Sequence, residues 1–265
     1  MKKIAIIGGG ISGLYIANLL RHNPDYEIIL FEKNNSVNLE KGYGIQLSVN
    51  SVKLLNKIGF QNISSIEKFH PKKIDFYSLK DKKKICDLDI STFNDAGVKY
   101  TTLQRSTLIS FLKDKLPSNL INFNKDVVSV YQKNKKIELS FEDKSKIECD
   151  YLIISDGVFS KTKSLIAKKE IKPKYFNSIA FRATIDRNKL QMIEPNNISL
   201  FLGSNLHSVI YPTNNNFFNF ITILRKSLND QELANYSLFD SKDFVSSALT
   251  EISEQVDPNI CLLYT

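Results

Sequence analysis

The sequence has no run of about 18 apolar residues, so nothing in it reads as a membrane-spanning helix. Its three cysteines, Cys86, Cys149 and Cys261, are scattered over 265 residues. They form no metal-binding spacing and no disulfide framework, and point to a reducing cytoplasm. The three histidines, His22, His70 and His207, share no motif. Hydrolytic triads and metal centres are therefore left without candidate residues. Arginine is scarce as well: five of the 36 basic residues, namely Arg21, Arg105, Arg182, Arg187 and Arg225. The net charge of +8 thus rests on lysine, in a chain also rich in Asn and Ile, and reads as compositional bias. The densest basic run, Lys80 to Lys84, falls where two short strands would turn and reads as a solvated hairpin tip. No stripe of arginines and aromatics accompanies it, so nucleic acid is not an expected partner. The N-terminus runs directly into a strand, so no signal peptide is expected. No internal repeat and no disordered linker is visible.

What is present suffices for a sizeable core, since 42% of the residues are apolar. The chain is organised around its start. An apolar strand, Lys3-Ile4-Ala5-Ile6-Ile7, enters Gly8-Gly9-Gly10-Ile11-Ser12-Gly13 and continues as a helix to about Arg21. In this Gly-x-Gly-x-x-Gly pattern Gly8 permits the tight turn. Gly10 lets backbone approach a pyrophosphate, and Gly13 lets helix pack on strand. The helix N-terminus then offers free N–H groups and a favourable dipole to an anion. A second strand, Tyr26 to Phe31, ends in Glu32, 19 residues past Gly13 and placed to accept hydrogen bonds from a ribose. The combination predicts a dinucleotide site.

Further along, Gly42-Tyr43-Gly44-Ile45-Gln46-Leu47 precedes a helix over about 50–58, stopped by Gly59. Two glycines around one aromatic read either as backbone close to a flat ligand or as an ordinary turn. Residues 73–79 and 84–90 predict a β-hairpin. Arg105 opens a helix over about 106–116, the wrong end for a cation unless it serves an anionic ligand. Residues 121–149 predict a three-stranded meander. Tyr151-Leu152-Ile153-Ile154 reads as a central parallel strand buried on both faces. Asp156 follows that strand and reads either as a ligand residue or as a helix cap or turn. From Pro173 onward, 178–186, 198–203, 207–211 and 217–225 predict antiparallel strands, and 230–255 predicts helix.

The order of these segments resembles the group A flavoprotein monooxygenases, the FAD-dependent aromatic hydroxylases. Four stretches carry the resemblance. Ile6 to Leu14 is similar to the family's N-terminal FAD fingerprint, and Gly42 to Asn50 to the Gly-x-Gly-Ile-x-Leu segment beside the flavin ring. Gln104-Arg105-Ser106-Thr107-Leu108 is similar to the Arg-x-x-Leu helix start that contacts the cofactor. Asp156 to Lys163 is similar to the Asp-Gly motif used for FAD and NAD(P)H. More weakly, Ala180-Phe181-Arg182-Ala183, His207 to Pro212 and Asn219-Phe220 resemble substrate-domain strands of the salicylate-hydroxylase-like branch.

The resemblance implies an α/β fold in which a Rossmann-like FAD-binding domain is interleaved with an antiparallel β-sheet substrate domain. The FAD-binding parts are expected at 1–72 and 101–172, the substrate-domain parts at 73–100 and 173–265. It implies FAD as cofactor and NAD(P)H as co-substrate, with O2 hydroxylating a phenolic ring. The cofactor-binding residues it implies are Gly8, Gly10, Ser12, Gly13, Glu32, Lys33, Gly44, Ile45, Arg105, Val127 and Asp156. On the substrate side Arg182 would pair with an aromatic carboxylate. His207 or Tyr211 would help deprotonate a phenol, histidine being the residue type that titrates near neutral pH; outward or sheet-packing roles stay open for all three.

Three departures from the family pattern stand out. Lys163 replaces the usual Arg, which weakens bidentate anion binding but keeps the charge. Ile154 and Ser155 replace Gly-Ala before Asp156. No Gly-Asp dipeptide occurs anywhere, and the chain stops about where the strand bearing that motif should begin. The expectation is a C-terminally truncated member, either an enzyme or a non-catalytic subunit that needs a separately encoded C-terminal piece. An NAD(P)-dependent dehydrogenase, or a reductase or halogenase on the same scaffold, also stays open.

Overall fold

The computed structural model describes residues 1–37, 39, 43–190 and 193–250. Gly42, Cys261 and the last residues of the helix expected over 230–255 lie outside them. In chain order the regular elements begin with β1 (Lys2–Ile7), α1 (Ile11–Leu20), β2 (Tyr26–Phe31), β3 (Gly44–Leu47) and α2 (Val49–Asn56). Then come β4 (Lys68–Phe69), β5 (Lys73–Ser78), β6 (Lys84–Asp89), β7 (Thr101–Gln104), α3 (Arg105–Asp114) and β8 (Ile121–Asn122). The middle of the chain forms β9 (Val127–Lys133), β10 (Lys136–Phe141), β11 (Lys146–Cys149), β12 (Tyr151–Ile154) and α4 (Lys161–Ala167). Last are β13 (Ser178–Asp186), β14 (Ile198–Leu202), β15 (Leu206–Pro212), β16 (Phe217–Arg225), α5 (Asp230–Ala234) and α6 (Lys242–Thr250).

The chain divides into two compact units. The first comprises Met1–Gly42, Lys53–Ile63 and Arg105–Lys174; the second comprises Tyr43–Val52, Ser64–Gln104 and Tyr175–Thr265. Set beside the expected boundaries, 43–52, 64–72 and 101–104 group with the second unit, and 173–174 with the first. The reason is strand pairing: β7 takes β3 on one side and β4 on the other, making a small antiparallel sheet.

The first unit carries a parallel sheet in the order β12-β1-β2-β8. β1 is its hydrophobic centre, with Ala5 and Ile6 fully buried. On one face α1 packs against α3, and Asn18 ties the two by donating to the carbonyls of Leu14 and Leu112, at 2.9 and 2.7 Å. On the other lies the antiparallel meander β9-β10-β11, where Phe141 meets Phe31 with ring centroids 4.7 Å apart. β12 corrects the expectation of a central strand buried on both faces. Among the described residues it is a sheet edge, leaving Tyr151 53% and Ile154 39% exposed.

The second unit is built on a six-stranded sheet, β13-β16-β15-β14-β5-β6. It was expected to be antiparallel throughout, but β14 runs parallel to β5 and the sheet is mixed. One face packs Ile179, Phe181, Leu206 and Leu224 against Phe244 and Ala248 of α6. The Lys80–Lys84 tip is exposed as expected, except that Lys84 is held by Asp75 and Asp87 at 2.7 and 2.8 Å.

Candidate functional site

Strands β1, β2 and β12 run parallel, so their carboxyl ends come out on one side of the sheet. There Ile7, Gly8, Phe31, Glu32, Val127 and Asp156 line a cleft that opens to solvent. The end of a parallel sheet is where α/β folds bind ligands, because loops there diverge around the helix N-termini.

Gly8 makes the turn with φ +102, and a Cβ on it would lie 2.5 Å from the Ser155 carbonyl oxygen. Gly10 precedes α1 with extended backbone, and a Cβ there would meet nothing within 4 Å. The first turn of α1 has neither a side-chain cap nor an acidic residue. Its orphan N–H groups and positive dipole end are therefore left for an anion. Ser12 is exposed in that first turn, and Gly13 is buried so tightly that a Cβ would sit 2.0 Å from the Gly8 carbonyl oxygen.

Two of the carboxylates lining the cleft, Glu32 and Asp156, are those expected from the sequence. Glu32 is 9% exposed; its Oε2 accepts the Gly9 N–H at 2.7 Å, and its Oε1 accepts the backbone N–H and Nδ2 of Asn34 at 3.0 and 2.7 Å. Asp156 Oδ2 accepts the Thr162 N–H at 3.3 Å, whereas its buried Oδ1 has no partner. Ser160, not Asp156, caps α4 through the Lys163 N–H. A buried carboxylate oxygen without a donor is suited to a ligand hydroxyl. Lys33 lines the cleft, joined by residues the sequence reading missed: Lys125, Asp126 and Lys161. The sequence leaves a trace of these: Lys125 and Asp126 precede Val127, and Lys161 lies within the Asp156–Lys163 stretch without having been singled out. Lys161 reaches Asp126 at 2.7 Å. Arg105 opens α3, half-buried, and is not among the cleft-lining residues.

In the second unit, β3 lies with Gly44 packed onto β16. The Gly44 N–H donates to Asn219 Oδ1 at 2.7 Å, and a Cβ on Gly44 would be 2.5 Å from Asn219 Cβ. Ile45 follows on β3, opposite Leu103. Register places Arg182, His207 and Tyr211 on one face of the large sheet. Arg182 is opposite Ile221, which is opposite Val209; His207 is opposite Ile223, and Tyr211 opposite Asn219. Directly opposed residues share a face, and so do alternate residues along a strand. The Arg182 guanidinium carbon lies over the Tyr43 ring, 4.3 Å from its centroid, a cation–π contact.

Tyr211 is 3% exposed. Burial pushes its phenol well above the usual range; the neighbouring Tyr100 adds to this, while Arg182 and a hydrogen bond with Gln46 partly offset it. Gln46 Oε1 also accepts the Tyr100 hydroxyl at 2.7 Å. A phenol held protonated is a hydrogen-bond donor, which argues against the base role considered for Tyr211. Among the described residues no cluster of three His, Cys, Asp or Glu side chains is placed to hold a metal. Among the same residues no helix is long and apolar enough to cross a membrane.

Comparison with known proteins agrees with this reading. An FAD-binding domain model matches residues 1–254. The 6-hydroxynicotinate 3-monooxygenase of Bordetella bronchiseptica is 28% identical over 186 residues, covering 68% of this chain and 47% of that protein. The salicylate hydroxylase of Pseudomonas putida is 26% identical over 194 residues, covering 71% and 44%. The chain thus spans about half the length of the curated relatives it matches. Klebsiella pneumoniae HpxO, solved with FAD and uric acid, superposes with a TM-score of 0.82 at 17% identity, covering 99% of this chain and 64% of that one. A salicylate hydroxylase substrate complex superposes with a TM-score of 0.71 at 18% identity, covering 86% and 57%. The likeness at that identity is one of fold; the family rests on the sequence match over nearly the whole chain. This protein belongs to the FAD-binding domain family.

Proposed function

We propose that this chain binds FAD and serves the hydroxylation of an aromatic, phenolic small molecule with NAD(P)H and O2. The observation that carries the reading is the cleft that Gly8, Glu32 and Asp156, with its unpartnered oxygen, line together at the turn leading into the uncapped α1. In this reading the N–H groups at the start of α1, with Gly10 and Ser12, take the pyrophosphate. Gly8 and Gly13 hold the turn that aims them. Glu32 and Lys33 take the adenosine ribose, with Val127 against the adenine. Asp156 and Arg105 take the ribityl and phosphate end, and Gly44 and Ile45 lie along the ring. Bound FAD would relay two electrons from NAD(P)H to O2, one oxygen atom of which enters the aromatic ring while the other leaves as water.

The chain's own side chains orient the substrate. Arg182 pairs with a ring carboxylate, Tyr211 donates a hydrogen bond, and His207 takes the phenol proton, which raises the ring's nucleophilicity. Hydroxylases of salicylate and 6-hydroxynicotinate among the relatives support an aromatic acid as the substrate class. The cytoplasm is the compartment this reading implies, since it holds the NAD(P)H.

The test is an absorption spectrum of the purified chain with an FAD titration, followed by NAD(P)H oxidation with phenolic acids. Flavin bands at one FAD per chain support the cofactor assignment. They also remove the need for a separately encoded C-terminal piece in binding. A colourless chain that takes up no FAD overturns the assignment. Flavin uptake without NAD(P)H oxidation by any phenolic acid overturns the hydroxylase reading alone.

A further inference from the structure

We infer that Asn219 is a positioning residue for the flavin-side strand: its amide oxygen fixes the Gly44 backbone, and through it the affinity for FAD. The inference rests on the placement of β3 beside the flavin ring proposed above.

The physical argument starts from burial. Asn219 is fully buried on β16, 175 positions from Gly44, and its Oδ1 accepts the Gly44 N–H at 2.7 Å. That N–H sits at the first residue of β3. Gly44 is paired there with Gln104, the last residue of β7. A buried N–H without an acceptor is destabilising, so the strand settles where Asn219 meets it.

Sterics point the same way. A Cβ on Gly44 would lie 2.5 Å from Asn219 Cβ and 2.7 Å from Thr213 Cγ2. The backbone of β3 is therefore pressed against the β15–β16 turn, not merely near it. Neighbouring polar groups close the same seam. Thr102 Oγ1 donates to the Pro212 carbonyl at 2.5 Å, and Gln104 Nε2 donates to Thr213 Oγ1 at 3.2 Å. Asn219 Nδ2 and Gln104 Oε1 are buried without partners in this seam. Fully apolar side chains here would spare that desolvation. The retained amide is explained by the one bond it makes, the bond to Gly44.

The strand so held carries Gln46, which hydrogen-bonds Tyr100 and Tyr211, and follows Tyr43, which stacks on Arg182. One buried contact thus sets the height of a strand that carries Gly44 and Ile45 and, through Gln46, meets the substrate-side face.

The experiment compares wild type with Asn219→Ala, Asn219→Asp and Thr222→Val. Thr222 is buried in the same sheet and hydrogen-bonds Ser208 at 2.7 Å, so T222V loosens the sheet without touching β3. Two quantities are read: Gly44 amide exchange without flavin, and the FAD dissociation constant from fluorescence quenching. The expected result is faster Gly44 exchange and at least tenfold weaker FAD binding in N219A. N219D, which keeps the acceptor, recovers most of the affinity, and T222V leaves it within twofold at a comparable loss of thermal stability. An FAD affinity within twofold of wild type in N219A overturns the inference while leaving the cofactor reading intact. Equal weakening in T222V overturns it too, by making the effect one of stability. A wild-type chain that binds no FAD overturns the cofactor reading and this inference with it.

Discussion

Gly9 and Glu32 meet across the ends of two parallel strands, the Gly9 N–H donating to Glu32 Oε2 over 2.7 Å in buried surroundings. Glu32 Oε1 is meanwhile occupied by two donors from Asn34. Both oxygens act as acceptors, which only a carboxylate allows. Glu32→Gln turns one of them into an NH2 group facing an N–H. The expected outcome is a loss of about 1–3 kcal/mol in stability, the typical penalty for leaving a buried donor unsatisfied. FAD affinity should fall as well, because the ribose loses a fixed acceptor. Urea unfolding at pH 7 with a parallel FAD titration checks both. Unchanged stability would mean that Glu32 is held by other groups.

The three motif glycines should separate folding from binding. Alanine at Gly8 is forced into a positive φ and within 2.5 Å of the Ser155 carbonyl; strain alone costs about 1–3 kcal/mol. Alanine at Gly13 meets the Gly8 carbonyl oxygen at 2.0 Å and should destabilise at least as much. Alanine at Gly10 meets nothing within 4 Å and has an ordinary negative φ. G10A should therefore fold like wild type yet bind FAD at least tenfold more weakly, since its methyl takes ligand space. Thermal melts and FAD titrations of the three variants decide the matter. A G10A variant with wild-type affinity would place the pyrophosphate elsewhere.

Much of this was legible in the sequence, for local reasons. The Gly-rich turn, the Glu after β2, the β5–β6 hairpin and the meander each advertise themselves within a short window. Three features were not. The apolar run Tyr151–Ile154 promises a strand that can bury both faces, but periodicity says nothing about which neighbours are supplied. It lies at an edge among the described residues. The bond from Gly44 to Asn219 spans 175 positions, and no local pattern encodes a register between distant strands. The parallel pairing of β14 with β5 inside an otherwise antiparallel sheet was hidden in the same way.

Acid should loosen the first unit in a defined window. A hydrogen bond from Lys136, at 2.9 Å, and the Lys3 N–H, at 2.8 Å, hold the Asp150 carboxyl down to about 2. Lys125, at 2.5 Å, together with Ser145 does the same for Asp143, also to about 2. An unfolded Asp titrates near ~3.9, so between these values the unfolded chain binds more protons than the folded one. The contribution is full above about pH 4 and is lost as pH falls toward 2. Urea midpoints measured down this range should drop, and Asp150→Asn should flatten the drop. High salt should flatten it further, because these pairs are partly exposed. An acid limb identical in wild type and D150N would rule the pair out.

Tyr211 should behave as a permanent donor. Its phenol is buried, pushed above the usual range chiefly by that burial, and linked to Gln46 beside Tyr100. Free tyrosine titrates near ~10. A spectroscopic titration of tyrosinate should therefore show the same number of groups ionising below that pH in wild type and in Tyr211→Phe. Under turnover, Y211F should raise KM for a phenolic substrate by about tenfold, the scale of one lost hydrogen bond, and leave the shape of the pH profile unchanged. His207→Gln should instead lower kcat on the same substrate, since the side chain proposed to take the phenol proton is gone. A Y211F variant that deletes a titrating tyrosine, or removes a limb of the pH profile, would make Tyr211 the base and His207 a sheet-packing residue.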